Sequence, residues 1–167
     1  RGINENLARE VLELHTLGVR TGYGQGDVSE LARALTGWTV AGLSQQGRFR
    51  GTEPGFVFVE AMHEPGARNL LGKRYDSGGI NQAKAMLEDL ALSPATARHI
   101  AANLARHFAG DTPPPELVSR LELTFLKSRG DLSALYRVLI DAPQVWSGEA
   151  KFRTPWISPT QRAPICS

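Results

Sequence analysis

The sequence holds one cysteine, Cys166, among 167 residues. A lone thiol cannot close an internal disulfide or build a thiolate metal cluster, which excludes disulfide scaffolds and zinc ribbons and leaves the redox compartment open. Long apolar runs are missing as well. Arg, Glu, Gly or Pro interrupts every hydrophobic stretch before it reaches the roughly 20 residues needed to cross a bilayer, so no membrane span is expected. Charge of one sign is scarce too, with 19 Lys and Arg against 17 Asp and Glu and a formal net charge of +2. Such a balance offers no basic stripe for a phosphate backbone, and no nucleic-acid partner is expected. Also absent are a paired histidine at i and i+4 with a glutamate, a glycine-flanked serine elbow, and a lysine in the Gly22 to Gly26 run that would make it a phosphate loop. Neither a bound metal nor a cofactor is therefore expected.

What is present is enough apolar residue, 41% of the chain, to bury a sizeable core. The length fits one domain, expected over residues 1–156, with 157–167 as a frayed or foreign tail. The fold class expected is mainly α, a helical bundle with a small β-hairpin or loop insertion between the second and third helices. Asn6 to Leu17 reads as a first helix. At 100° per residue Leu7, Ala8, Val11, Leu12 and Leu14 share one arc, and Asn6, Arg9, Glu10 and Glu13 share the other. Gly18 ends it. Asp27 with Glu30 has capping-box spacing, Val28, Leu31, Ala32 and Leu35 keep helical spacing, and Gly37 is placed for a left-handed stop. Trp38 to Val40 and Phe56 to Val59 are β-prone and read as a hairpin, while Glu60 to Gly79 reads as ordered loop. Helices are then expected over Asn81 to Leu92, from Ser93-Pro94 to Phe108, over Glu116 to Lys127, and from Asp131 through Ile140.

Several polar residues stand out against this frame. Glu10 and Glu13 are three apart and so neighbour each other on a helix. Two carboxylates that close can act as acid and base, and a retaining glycosidase needs a pair roughly 5 Å apart. The ordinary reading is a solvated face in which Arg9 and Glu13 form a weak ion pair. His15 falls amid the apolar arc, so its ring nitrogens need partners. It is either a satisfied core histidine or a base facing a polar pocket. His63 and Glu64 place an imidazole beside a carboxylate on the loop before Pro65, as a site or as a plain surface turn. His99 and His107 fall off the buried stripe of their helix and read as surface residues.

Asn4-Glu-Asn6, Arg9-Glu10, Glu13-Leu-His-Thr-Leu-Gly18, Tyr23, Asp27-Val28 and Ala32-Arg-Ala-Leu-Thr-Gly-Trp38 together resemble a bacterial family filed as domain of unknown function 1800. The likeness continues through His63, Leu71-Gly72, Gly78-Gly79, Pro94 to Ala97, Pro113-Pro114, Gly130 to Leu132 and Lys151 to Pro155, and stops after Trp156. Glu64 stands where the family usually has Asp, and Ser93 where it often has His. The resemblance implies a mostly helical protein with no settled activity, exported to the periplasm or beyond, of which this chain is a C-terminal portion. The opening residue, Arg1, also reads as a cut from something longer.

Two functions are expected from different classes. One is a hydrolase acting on a glycoside or an ester, a small-molecule or saccharide substrate. In it Glu10 and Glu13 are acid and base, His15 and His63 assist, Arg9 and Glu64 contact the substrate, and Tyr23 and Trp38 form an apolar platform. The other is a noncatalytic scaffold or interaction domain working with a partner protein, in which the same charged residues lock helices in place. A weaker third scheme joins His15, His63 and Glu64 around a metal. Self-association into a homo-oligomer through a helical face is expected with either function.

Overall fold

The structure, a computed structural model, describes residues 3–42 and 53–147. Helix α1 runs Glu5–Glu10, opened by Asn4, whose side-chain oxygen accepts the Leu7 amide at 3.1 Å. From Val11 to His15 the coil widens into a π turn. The i→i+5 pitch advances each residue by less than 100°, so the helical wheel slips. Ala8 and Leu12 stay wholly buried, but Leu14 and His15 emerge into solvent. The expected inward histidine is therefore an exposed one. Carbonyls loosened by the π turn find other donors: the Thr16 hydroxyl donates to Val11 O at 2.7 Å, and the Gly18 amide to Leu12 O at 3.1 Å.

Helix α2 runs Gln25–Ala34, three residues earlier at its start than Asp27 would place it as a cap. Asp27 is instead the third helical residue, and its carboxylate reaches back to accept the Gly24 amide at 2.8 Å. Gly37 follows with φ +83°, and a Cβ there would lie 2.8 Å from the Val59 carbonyl oxygen. Only glycine fits both constraints. Strand β1 (Trp38–Ala41) pairs antiparallel with β2 (Gly55–Phe58), Trp38 opposite Phe58 and Val40 opposite Phe56. This is the expected hairpin.

Within the expected loop lies a second antiparallel pair, β3 (Arg68–Leu70) with β4 (Lys73–Tyr75). Leu71 and Gly72 make its two-residue turn with φ of +50° and +77°. Turns of that kind usually carry Asn-Gly or Asp-Gly, and a leucine in the left-handed region hides the hairpin from pattern reading.

The remainder follows the expected helices closely: α3 (Ile80–Ala91), α4 (Pro94–Ala109), α5 (Pro115–Ser128) and α6 (Leu132–Ile140), with an added single turn, α7 (Pro143–Trp146). Ser93 and Asp131 cap α4 and α6 as their positions predict, accepting the amides of Ala95 and Ser133 at 3.3 and 2.8 Å. The fold is thus mainly α with a small β insertion between the second and third helices. Buried residues form two clusters. One joins α1, α2, α3 and the β3–β4 hairpin around Leu12, Leu31, Leu70 and Met86. The other joins α4, α5 and α6 around Ala101, Leu117, Leu121 and Leu135. Among the described residues no helix is long and apolar enough to cross a membrane. The expected tail, residues 157–167, lies outside the described residues.

Candidate functional site

Glu5, Arg9 and Glu13 recur at every fourth residue and so form one polar edge, which meets α2 and the loop before it. Ser29 donates its hydroxyl to Glu5 Oε1 at 2.5 Å, and the Gln25 amide donates to Glu5 Oε2 at 3.0 Å. Arg9 Nη2 donates to Gln25 Oε1 at 2.6 Å. The Tyr23 hydroxyl donates to Glu13 Oε1 at 2.6 Å, and Arg9 Nη1 lies 3.7 Å from the same oxygen. Six side chains therefore make one continuous chain of contacts, from Ser29 to Tyr23, that ties α1 to α2. Desolvation first, and then the hydrogen bond to Glu13, raises the Tyr23 phenol above its ordinary pKa. A phenol kept protonated is a donor, which suits its place against a carboxylate. Glu10 and His15 are exposed outside this network.

His63 belongs to a second network at the C-terminal end of α2. Its Nδ1 lies 3.0 Å from the Thr36 carbonyl oxygen. A carbonyl can only accept, so the proton sits on Nδ1, and in the neutral ring Nε2 keeps its lone pair. That Nε2 is buried and has no hydrogen-bond partner. The Phe58 ring stands edge-on to the imidazole with centroids 5.5 Å apart. The Glu64 amide donates to Thr36 Oγ1 at 2.7 Å, and Thr36 Oγ1 donates to Arg33 O at 2.5 Å. The Glu64 carboxylate oxygen lies 3.5 Å from Arg33 Nε and 3.4 Å from Arg68 Nη2. Arg68 is buried and also donates to the carbonyls of Glu64 and Pro65 at 2.9 and 3.1 Å. Glu30 completes the set, accepting from Arg33 Nη1 at 2.9 Å and from the Asn69 amide at 3.3 Å.

The structure thus divides the residues singled out from sequence. Arg9, Glu13 and Tyr23 share the first network; His63 and Glu64 share the second. Trp38 sits on β1, its ring edge-on to Phe56 at 4.9 Å and its Nε1 buried without a partner. Thr36, Arg33 and Arg68 escaped sequence reasoning. Only a buried arginine four residues after Glu64 hints at them, and burial is not visible in a polar loop.

Among the described residues, no group of three or more His, Cys, Asp or Glu is arranged to hold a metal ion. Two clefts among the described residues are lined by other side chains. A cleft of about 470 Å³ separates the loop around Gly18 from α4, and one of about 380 Å³ lies between α4 and α6. What the two polar networks can do chemically is limited by occupancy. Glu13 and Glu64 are each held by hydrogen bonds or cations, while the His63 Nε2 lone pair is the acceptor left without a donor.

Helices cross-tied by charged side chains, with a two-hairpin insertion at one end of α2, define the class of domain this is. The chain belongs to the family described as Protein of unknown function (DUF1800), whose model matches residues 1–161. The match thus runs past Trp156. No curated protein and no solved structure matches the chain.

Proposed function

We propose that this chain is a noncatalytic interaction domain that docks a second copy of itself through the face between α4 and α6. One observation carries the reading. Leu132, Tyr136 and Ile140 recur every fourth residue on α6 and are 45%, 46% and 61% exposed, with Phe108 of α4 beside them at 50%. Leu132, Tyr136 and Phe108 border the smaller cleft together with Ile100, Leu104 and His107. Isolated exposed apolar residues are ordinary, but a stripe that continues along a groove marks a contact surface. The polar networks fit the same reading, because each ties elements together. An exported setting belongs to the proposal and rests on the family resemblance alone.

Sedimentation velocity over a dilution series tests it. The parent should sediment faster as concentration rises, and Ile140→Glu should stay monomeric with an unchanged circular dichroism spectrum. A parent that remains monomeric throughout removes the reading.

A hydrolase acting on a glycoside or ester is the second reading, favoured by the buried, partnerless Nε2 of His63. A tautomer fixed by a backbone carbonyl is how a general base is held ready. In this version His63 takes the proton, and Glu13 with Arg9 serves only to position α1. On a hydrolase panel His63→Gln should then lose turnover while Glu13→Gln retains it. No turnover by the parent on any substrate would count against this second reading.

A further inference from the structure

We propose that the two halves of the fold are hinged at the corner between α3 and α4, and that His99, seated on the Leu14 carbonyl, is the catch that holds the joint closed. This stands apart from the docking reading. The buried residues fall into two separate clusters, and α4 reaches both. On its first turn Ala95 packs against the first cluster, whereas Ala97, Ala101 and Ala105 belong to the second. Clusters that do not merge contribute little apolar burial across the seam between them.

The pivot is short and well fastened. Leu92 and Ser93 alone connect α3 to α4, and the Thr96 hydroxyl donates to the Leu90 carbonyl at 2.6 Å in a buried bond. A few residues at the ends of elements, such as these, are what absorb the change in φ and ψ when domains rotate.

One turn beyond Ala95, His99 meets the π turn of the first half. Its Nε2 lies 3.1 Å from the Leu14 carbonyl oxygen, and a carbonyl can only accept, so this nitrogen carries the proton. Leu14 is in the last turn of its coil, where carbonyls outrun the intrahelical donors and take partners from outside. Gly18 completes the seat. Its φ is +92°, and a Cβ there would come within 2.8 Å of His99 Nδ1, so glycine is what lets the chain close on the ring. Beside this contact the seam stands open as the cleft of about 470 Å³, with Leu17 and Val19 on one side and Arg98 and Ala102 on the other. A histidine that reads as a surface residue from its helical position thus bonds across the joint, next to the space through which the halves can rotate.

Double electron–electron resonance on the full chain tests the catch. Spin labels are attached through Ala85→Cys on α3 and Ser119→Cys on α5, both exposed positions, with Cys166→Ser removing the native thiol. This labelled parent should give one narrow distance. His99→Ala should add a longer one, raising the ratio of open to closed molecules about fivefold, the worth of one net hydrogen bond. Gly18→Ala, which pushes on the ring from the opposite side, should do the same. Gly22→Ala is the control: its φ is also +92°, but a Cβ there meets nothing within 4 Å, so the backbone strain is matched without the collision and the distance should not change. Unchanged distances in either His99→Ala or Gly18→Ala, an equal change in Gly22→Ala, or two populations already in the parent overturn the proposal. Loss of helical circular dichroism in His99→Ala overturns it as well, because a catch between separately packed cores is not what folds them.

Discussion

The layer formed by α1 and α2 and the layer formed by α4 and α6 solve opposite problems. In the first, charged side chains answer one another inside the chain: Glu5 takes Ser29 and Gln25, Gln25 takes Arg9, and Glu13 takes Tyr23. In the second, apolar side chains as large as Leu132, Tyr136 and Ile140 face solvent. Where the partner is internal, a substitution should change stability; where it is external, a substitution should change association and leave stability alone. That contrast separates residues that hold the fold from residues that use it.

The largest effects should come from the cores beneath the two layers. Leu31 and Leu121 are fully buried, one in each cluster. Truncating either to alanine should cost about 2–5 kcal/mol by urea denaturation, through lost transfer energy and the cavity left behind. Equal losses would show that both layers rest on comparably packed cores. A loss at Leu121 below about 1 kcal/mol would show that the second core can collapse around the gap, as well-packed cores seldom do.

Next in size is the tie between the helices. Tyr23→Phe should lower stability by about 1 kcal/mol, the usual net value of a hydrogen bond, and a double-mutant cycle with Glu13→Gln should show that the two losses overlap. Fully additive losses would break the network reading.

Smaller still is the latch between β4 and α3, where Lys73 Nζ and the Tyr75 hydroxyl both donate to Asp89 Oδ2 at 2.5 Å. The bond from Lys73 first, and then that from Tyr75, holds the Asp89 carboxyl below its ordinary pKa. Its stabilising effect is therefore present above the usual Asp value of about 3.9 and fades as pH falls through the lowered one. Burial first, and then Asp89, pushes the Tyr75 phenol up. That contribution is present below the usual Tyr value of about 10 and is lost as pH rises toward the raised one. Asp89 is 43% exposed, so solvent screens the pair and its worth should stay under about 1 kcal/mol. Urea midpoints across pH should show a shallow acid limb that Asp89→Asn flattens; an identical acid limb in the variant would exclude the latch as its source.

Least of all should stability respond to the outer stripe of α6. Tyr136→Glu and Ile140→Glu should change the unfolding free energy measured in urea by no more than about 0.5 kcal/mol, as exposed substitutions usually do. A drop of several kcal/mol would mean that the stripe is core.

Helices were legible from sequence where caps and periodicity agreed. Ser93-Pro94 and Asp131 are local signals that no tertiary contact needs to override, and both helices begin where they predict. The π turn was not legible, because a wheel at fixed pitch has no means of registering an i→i+5 step, and His15 was misplaced by it. The β3–β4 hairpin was hidden for a related reason: its strands are three residues each, mostly polar, and its turn begins with leucine. For the candidate site, the Arg9–Glu13 pair followed from spacing alone. The fastening of His63 to Thr36 spans 27 residues, and the seating of His99 on the Leu14 carbonyl spans 85. Helical spacing carries no information about such contacts, which is why one histidine read as a loop residue and the other as plain surface.

Hydrogen exchange of the parent chain, measured at a low and a high protein concentration, tests the contrast between the two layers most directly. Protection should rise with concentration along α6 and the C-terminal end of α4, and stay constant along α1 and α2. Protection that does not change anywhere, or that grows instead along α1 and α2, would contradict the account.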